Sequence, residues 1–456
     1  MQEKHERKPH FETDGIHHAT IRGHRFHLRL KDPISDNYLW IDGKTLLVIG
    51  PRDANFVRYI IEAMWKFLNG EGDRIEEAAN WIVDQMKKMY PKVNRRRIRK
   101  DLDRIFDTLM AIAESGCPVE VLGEDDVREV RYDKWVAPAR MDLAVTGRCN
   151  LNCGKCYRGG SQIIQELDLD AWRKAYGILW NAGVHQIVFT GGEPTLRDDI
   201  VKLVSEADEF VTGLVTNGTN LEALAEELFA ASLDYVQVTI ESWTSAIHDA
   251  MTNTPGSHVR TVAGIKKALE VGLSVSTNTT LTKQSAAGFL ETIRFLHSLG
   301  VKHVACNSLI CSGRGTACKI ENGLSDQELA GILEQACELA DELGMEFQWY
   351  SPTCYTLGVN PIDLGLGVKT CSAASYNMTI EPNGSVLPCQ SWPESVGNIL
   401  VDDWKKIWEH PVCVQLRNHA MKALGCGGCA HETTCAGGCP LDKTPRQKTT
   451  SKKECA

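Results

Sequence analysis

Three cysteines that lie close together in the chain have the spacing to do chemistry. Cys149, Cys153 and Cys156 stand in VTGRCNLNCGKCYRGG, and a C-x3-C-x2-C loop lets three thiolates converge on one centre. Clustered thiolates are what soft metals and iron–sulfur clusters require. Three ligands leave one iron of a cluster open, and an open iron can bind a substrate. A structural zinc site normally takes a fourth Cys or His. No histidine occurs between His27 and His185, so a zinc reading of this loop lacks a ligand.

A second concentration of thiols occupies the C-terminal end. CSAASYNMTIEPNGSVLPC has the form C-x12-G-x4-C, running from Cys371 through Gly384 to Cys389. The pattern C-x2-C-x5-C-x3-C-x15-C then passes through Cys426, Cys429, Cys435, Cys439 and Cys455. Seven thiolates exceed one tetrahedral metal and nearly fill two cubanes, although Cys426 to Cys439 alone would also suit a zinc ribbon. Cys117, Cys306, Cys311, Cys318, Cys337 and Cys413 fall in no motif and read as packing residues. The total of 17 cysteines favours metal binding or catalysis over a disulfide framework.

The elements that must position these thiols follow from apolar periodicity. From Met141, the runs MDLAVT, HQIVFT, FVTGLVT, DYVQVTI, LSVSTNTTL and KHVACNSL alternate with helical stretches, the rhythm of a parallel sheet with crossover helices. Six units predict an α/β fold with a partial (β/α)6 barrel over residues 139–315, its chemistry on loops at the C-terminal strand ends. Residues 316–370 read as a bridge. From residue 371 to 456 the chain is rich in Cys, Gly and Pro with little period, as expected of a metal-stapled domain. Upstream, DNYLWI and KTLLVIG meet at Asp42-Gly43, a dipeptide suited to a tight hairpin turn. Three amphipathic stretches follow, carried by Phe56 to Leu68, Ile75 to Met86 and Ile98 to Leu109. A hairpin with three helices predicts a winged-helix-like module over residues 1–116, with 117–138 as linker.

Composition narrows the function classes. The chain of 456 residues carries a net charge of -9, which gives no general attraction to nucleic acid. It has no apolar run long enough to cross a bilayer, and its polar start, MQEKHERKPH, lacks the apolar stretch of a secretory signal. A cytoplasmic protein without nucleic-acid or membrane partners is expected.

The first cysteine loop, with Tyr157 following it, closely resembles the signature of the radical S-adenosylmethionine (SAM) superfamily. Gly191, Gly192, Glu193 and Pro194, at the end of the second strand run, match that family's GGEP segment. The resemblance implies a catalytic 4Fe-4S cluster on Cys149, Cys153 and Cys156 with SAM on its open iron, the GGEP segment binding the SAM amino group. Further matches follow in order at Asn217 in LVTNG, Thr239 and Glu241 in VQVTIES, Asn278, and Arg314 in SGRG. The family usually has Ser and Asp where this chain has Thr239 and Glu241. The implied reaction is reductive cleavage of SAM to a 5'-deoxyadenosyl radical, fed by a low-potential donor of flavodoxin or ferredoxin type. The cofactor supplies such chemistry, and no side-chain acid, base or nucleophile stands out.

The C-terminal cysteines resemble the SPASM extension of radical SAM enzymes. That implies two auxiliary 4Fe-4S clusters, one on Cys371, Cys389 and Cys439, the other on Cys426, Cys429, Cys435 and Cys455. The first then lacks a fourth ligand, for which Cys354 is the candidate. The N-terminal pattern resembles the PqqD-like element of ribosomal peptide maturases, in which a leader peptide adds as a strand beside the hairpin. Arg95, Arg96, Arg97, Arg99 and Lys100 could meet an acidic leader, or simply form a solvated helix face. Together these resemblances imply an enzyme that modifies a precursor peptide bearing a leader. Alternatives are a SPASM enzyme acting on a small molecule or haem precursor, a sulfatase-maturase-like protein modifier, and a non-catalytic zinc protein. Sulfatase-activating members carry Asp after the cysteine equivalent to Cys389, where this chain has Gln390.

Overall fold

The computed structural model describes residues 16–22, 24–30, 37–42, 45–68, 74–115, 118–122, 135–355, 360–421, 431, 435 and 437–442. The chain divides into two compact units, Met1–Lys134 with Asp208–Val211, and Trp135–Ala207 with Thr212–Ala456.

In the first unit the expected hairpin is β3 (Asn37–Ile41) and β4 (Thr45–Ile49), paired with Asn37 opposite Ile49 and Ile41 opposite Thr45. Asp42 takes φ 52, the left-handed backbone a tight hairpin turn requires. Its carboxylate accepts from the Arg25 amide at 2.8 Å and lies 2.9 Å from His24 Nδ1. Those contacts come from strands the sequence reading did not place. β1 (Ile16–Ile21) and β2 (His24–Arg29) extend the hairpin to a four-stranded antiparallel sheet in the order β1-β2-β3-β4. Their His, Thr and Arg content dilutes the apolar signal of Ala19, Ile21, Phe26 and Leu28, all of which are buried.

Helices Pro51–Ala63, Ile75–Met89 and Arg95–Ser115 follow, the first entered through Pro51, whose fixed φ suits a first turn. Phe56, Ile60, Met86, Ile98 and Leu102 join Phe26, Leu28, Leu39 and Ile41 in one core. The basic run is largely paired inside this unit. Arg95 meets Asp84, Arg97 Nε lies 3.1 Å from Asp101, and Arg99 holds both oxygens of Glu76 at 3.0 Å.

The second unit carries all six expected parallel strands: β5 (Arg140–Thr146), β6 (Gln186–Gly191), β7 (Val211–Thr216), β8 (Tyr235–Thr239), β9 (Ser274–Leu281) and β10 (His303–Ser308). β11 (Glu346–Trp349), inside the expected bridge, adds in parallel beside β10. At the other edge β12 (Asn377–Ile380) pairs in parallel with β5, from Asn377 opposite Arg140 to Ile380 opposite Leu143. β13 (Ser385–Leu387) and β14 (Gly397–Asn398) follow antiparallel, so ten strands run β11-β10-β9-β8-β7-β6-β5-β12-β13-β14. The sheet is an open α/β array whose C-terminal cysteine region begins as a continuation of the barrel strands. Among the described residues no helix is long and apolar enough to cross a membrane.

Candidate functional site

The loop after β5 is pinned by backbone on both sides. Gly192 and Glu193 donate to the carbonyls of Thr146 and Arg148 at 2.8 Å, Asn152 donates to Thr252 at 3.1 Å, and Gln162 closes the loop onto Gly147 at 2.8 Å. The glycines of GGEP earn this closeness sterically: a Cβ on Gly192 would sit 2.1 Å from the Arg148 oxygen, and one on Gly191 would sit 2.3 Å from the Thr146 oxygen. The segment that follows β6 is therefore clamped against the segment that bears the cysteines.

Cys149, Cys153 and Cys156 are each half-buried on this loop and act electrostatically on one another. Burial pushes the Cys149 thiol up and Cys153 up to about 11, each reinforced by its neighbours. Lys155, between Cys153 and Cys156, opposes that rise at Cys153. Among the described residues no three His, Cys, Asp or Glu side chains gather tightly enough for a single metal ion. A cubane has a separate iron for each thiolate, and three cysteines on one loop are a donor set that suits a cluster.

The remaining predicted residues divide by what they touch. Glu193 is fully buried, and its carboxylate accepts from Thr195 N at 3.0 Å, Thr195 Oγ1 at 2.6 Å, Thr216 Oγ1 at 2.7 Å and Asn217 N at 2.7 Å. This knot ties the ends of β6 and β7. Asn217 Nδ2 donates to Asn150 Oδ1 at 2.8 Å, and Asn150 Nδ2 donates to Thr219 at 2.9 Å, so Asn217 also braces the cysteine loop. Pro194 opens the short 3-10 turn Pro194–Leu196 beyond Glu193. Thr239 pairs with Asn278 across β8 and β9, and Asn278 Nδ2 donates to Asn307 at 2.8 Å while its Oδ1 is buried with no hydrogen bond.

Glu241 has a partner the sequence did not single out. Lys155 Nζ lies 2.5 Å from Glu241 Oε1 and 2.6 Å from Thr280 Oγ1, and Thr280 N donates to Glu241 Oε2 at 3.1 Å. His248 Nδ1 accepts from the Glu241 amide at 3.2 Å. A lysine inside a C-x2-C loop carries no pattern of its own, and only the fold brings it to the end of β8.

Arg314 donates through its amide to Cys156 O at 3.0 Å and through Nη1 to Asn152 at 2.6 Å. Its Nε and Nη2 are buried with no hydrogen bond, two donors held ready beside the loop. The Tyr157 hydroxyl donates to Gln390 Oε1 at 3.0 Å, and Arg158 forms a two-pronged pair with Glu381 at 2.8 and 2.7 Å. Both contacts join the cysteine loop to the hairpin β12-β13.

That hairpin explains the glycine of the C-x12-G-x4-C pattern. Gly384 takes φ 86 in the turn, and the paired strands return Cys389 toward Cys371. Burial pushes Cys371 up to about 11 and Cys389 up to about 12, and Cys439 acts on both. Cys435 is buried, while Cys426, Cys429 and Cys455 lie outside the described residues. Cys354 is also buried, and the adjacent Tyr355 ring stands 5.8 Å from that of His431.

Residues 143–296 match the radical SAM superfamily, and residues 371–435 match the SPASM iron-sulfur cluster-binding domain. The protein is a radical SAM enzyme. It carries the SPASM extension, and its cofactors are SAM and 4Fe-4S clusters. It is similar to the pre-heme d1 synthase of Dinoroseobacter shibae, 25% identical over 64% of this chain and 79% of that one. The PqqA peptide cyclase of Ruegeria pomeroyi is 25% identical over 60% of this chain and 74% of its own. The fold is shared with Streptococcus suis SuiB, solved with its precursor peptide SuiA, at a TM-score of 0.59 and 17% identity over 93% of this chain and 96% of that one.

Proposed function

We propose that the enzyme is a peptide maturase, recognising a ribosomally made precursor through a PqqD-like module at residues 1–116 and modifying it at the barrel of residues 139–315. The observation that carries this reading is the extent of the likeness. The fold of a protein solved with its precursor peptide is shared over 93% of the chain, whereas the haem-related and peptide-cyclase relatives align in sequence over 64% and 60% of it. A four-stranded sheet with three helices at the N-terminus is surplus to SAM cleavage and has the edge strands that strand addition uses.

In this reading Cys149, Cys153 and Cys156 hold the catalytic cluster, and residues 371–456 hold two auxiliary clusters, on Cys371, Cys389 and Cys439 and on Cys426, Cys429, Cys435 and Cys455. When bound there, the cluster would supply the electron for reductive cleavage of SAM, with a flavodoxin or ferredoxin as its donor. The chain's own residues orient and enclose. The backbone of Gly191, Gly192 and Pro194, held in place by Glu193, would bind the SAM amino group. Asn217 fixes the cysteine loop, Thr239, Glu241 and Asn278 line the strand ends, and the free donors of Arg314 would be offered to the SAM carboxylate.

The test is anaerobic reconstitution of the full chain, followed by SAM, dithionite and a short peptide encoded beside its gene. Mass spectrometry is expected to find that peptide changed when its leader is present and unchanged without it. Equal modification without the leader, or turnover of a haem precursor instead, overturns the peptide reading. Replacing Cys149, Cys153 and Cys156 together by Ala abolishes 5'-deoxyadenosine formation if the catalytic assignment holds, and unchanged formation rejects it.

A further inference from the structure

The auxiliary set Cys371, Cys389 and Cys439 is one thiol short of a closed cubane. The sequence reading offers Cys354 for the vacancy and treats Cys311 as packing. The fold arranges them otherwise. Cys311 lies on the loop after β10, and its Sγ is 3.8 Å from Asp442 Oδ1. Asp442 in turn donates its amide to the Cys439 carbonyl at 3.0 Å, so Cys311 faces the turn that carries Cys439. Lys319 Nζ completes the group, 2.8 Å from Asp442 Oδ2. Cys439 and Lys319 both act electrostatically on the Cys311 thiol, and Cys439 acts likewise on Cys371 and Cys389. Cys439 is thus the common neighbour of three other thiols. Tyr355, next to Cys354 in the chain, has its ring against His431 and its hydroxyl within reach of the charge of Cys435, a ligand expected of the other auxiliary cluster.

We infer that Cys311 is the fourth ligand of the auxiliary cluster held by Cys371, Cys389 and Cys439, which would anchor that cluster to the barrel itself. This rests on the auxiliary assignment proposed above. Ligation exchanges the Cys311 S–H for an S–Fe bond and releases one proton, with no change of oxidation state. The same loop reaches the catalytic cysteines on its other side, where Arg314 N donates to Cys156 O at 3.0 Å. One loop of six residues, 309–314, would then touch both metal centres.

The test removes the catalytic cluster first, because its own open iron gives the signal sought. In full-length protein with Cys149, Cys153 and Cys156 changed to Ala, two closed cubanes hold about eight irons and resist mild oxidation. Adding Cys311→Ala is expected to bring out the electron paramagnetic resonance of a three-iron cluster on oxidation, with about one iron lost per chain. Adding Cys354→Ala leaves iron and spectrum unchanged. Cys311→Ser, which keeps the side-chain size and can ligate through oxygen, retains the fourth iron and alters the reduced-state spectrum. A Cys311→Ala variant that keeps its iron and shows no three-iron signal overturns the inference, as does a Cys311→Ser variant with an unaltered spectrum. A triple variant that binds no iron overturns the auxiliary assignment beneath it, a failure separate from that of Cys311.

Discussion

Lys155 and Glu241 form an ion pair between the cysteine loop and the end of β8, with the lysine side chain 13% exposed and the glutamate 1%. Removing one member leaves the other charge without compensation in a dry site, which typically costs about 3 kcal/mol or more. Lys155→Met is therefore expected to lower the urea midpoint markedly, and the double variant with Glu241→Gln to recover most of the loss. His248 behaves differently because it is held neutral. Burial drives its imidazole down to about 4, and the neighbouring His258 adds to this. A folded-state value below the unfolded one of about 6.5 means the stabilisation is full above pH 6.5 and is lost as pH falls toward 4. The loss amounts to at most about 3 kcal/mol. Urea titrations at pH 7 and pH 5 should show it, and His248→Asn should flatten that part of the pH slope.

At the scale of elements, Gly192 is where the GGEP turn meets the cysteine loop. Gly192→Ala puts a methyl group 2.1 Å from a backbone oxygen that cannot swing away, so the cysteine loop must move. Iron content at Cys149, Cys153 and Cys156 is expected to fall severalfold while the unit stays folded by circular dichroism. The GGEP match was legible in sequence, but its role as a clamp was not, since the residue it meets lies in another loop. The six barrel strands were legible because each is a short apolar run, such as QIVFTG or RMDLAVT, bounded by helices. β11, with the sequence EFQW, and the two-residue β14 carry too few apolar residues to register. β1 and β2 are masked by histidine and arginine. The thiol patterns of both metal regions were readable from spacing alone. The partners that fix them, Lys155 to Glu241, Tyr157 to Gln390 and Cys311 to Asp442, join residues far apart in the chain and have no local signal.

Across the whole molecule, the continuation of the barrel sheet by β12, β13 and β14 has a consequence for how the chain can be divided. β5 carries the cysteine loop at its end, and along Arg140–Leu143 its outer side is paired with β12. Without β12 it becomes a bare edge, the kind of strand that pairs with another chain. A protein ended after residue 370 is thus expected to elute from a sizing column as oligomers or to precipitate, even with the radical SAM segment intact. Monomeric behaviour of that fragment would show the edge to be protected in another way. In the intact chain the sheet instead closes on β14, Gly397–Asn398, whose two residues offer a newcomer almost nothing to zip onto. The C-terminal region thereby serves as a guard against self-association, a duty separate from anything its cysteines bind.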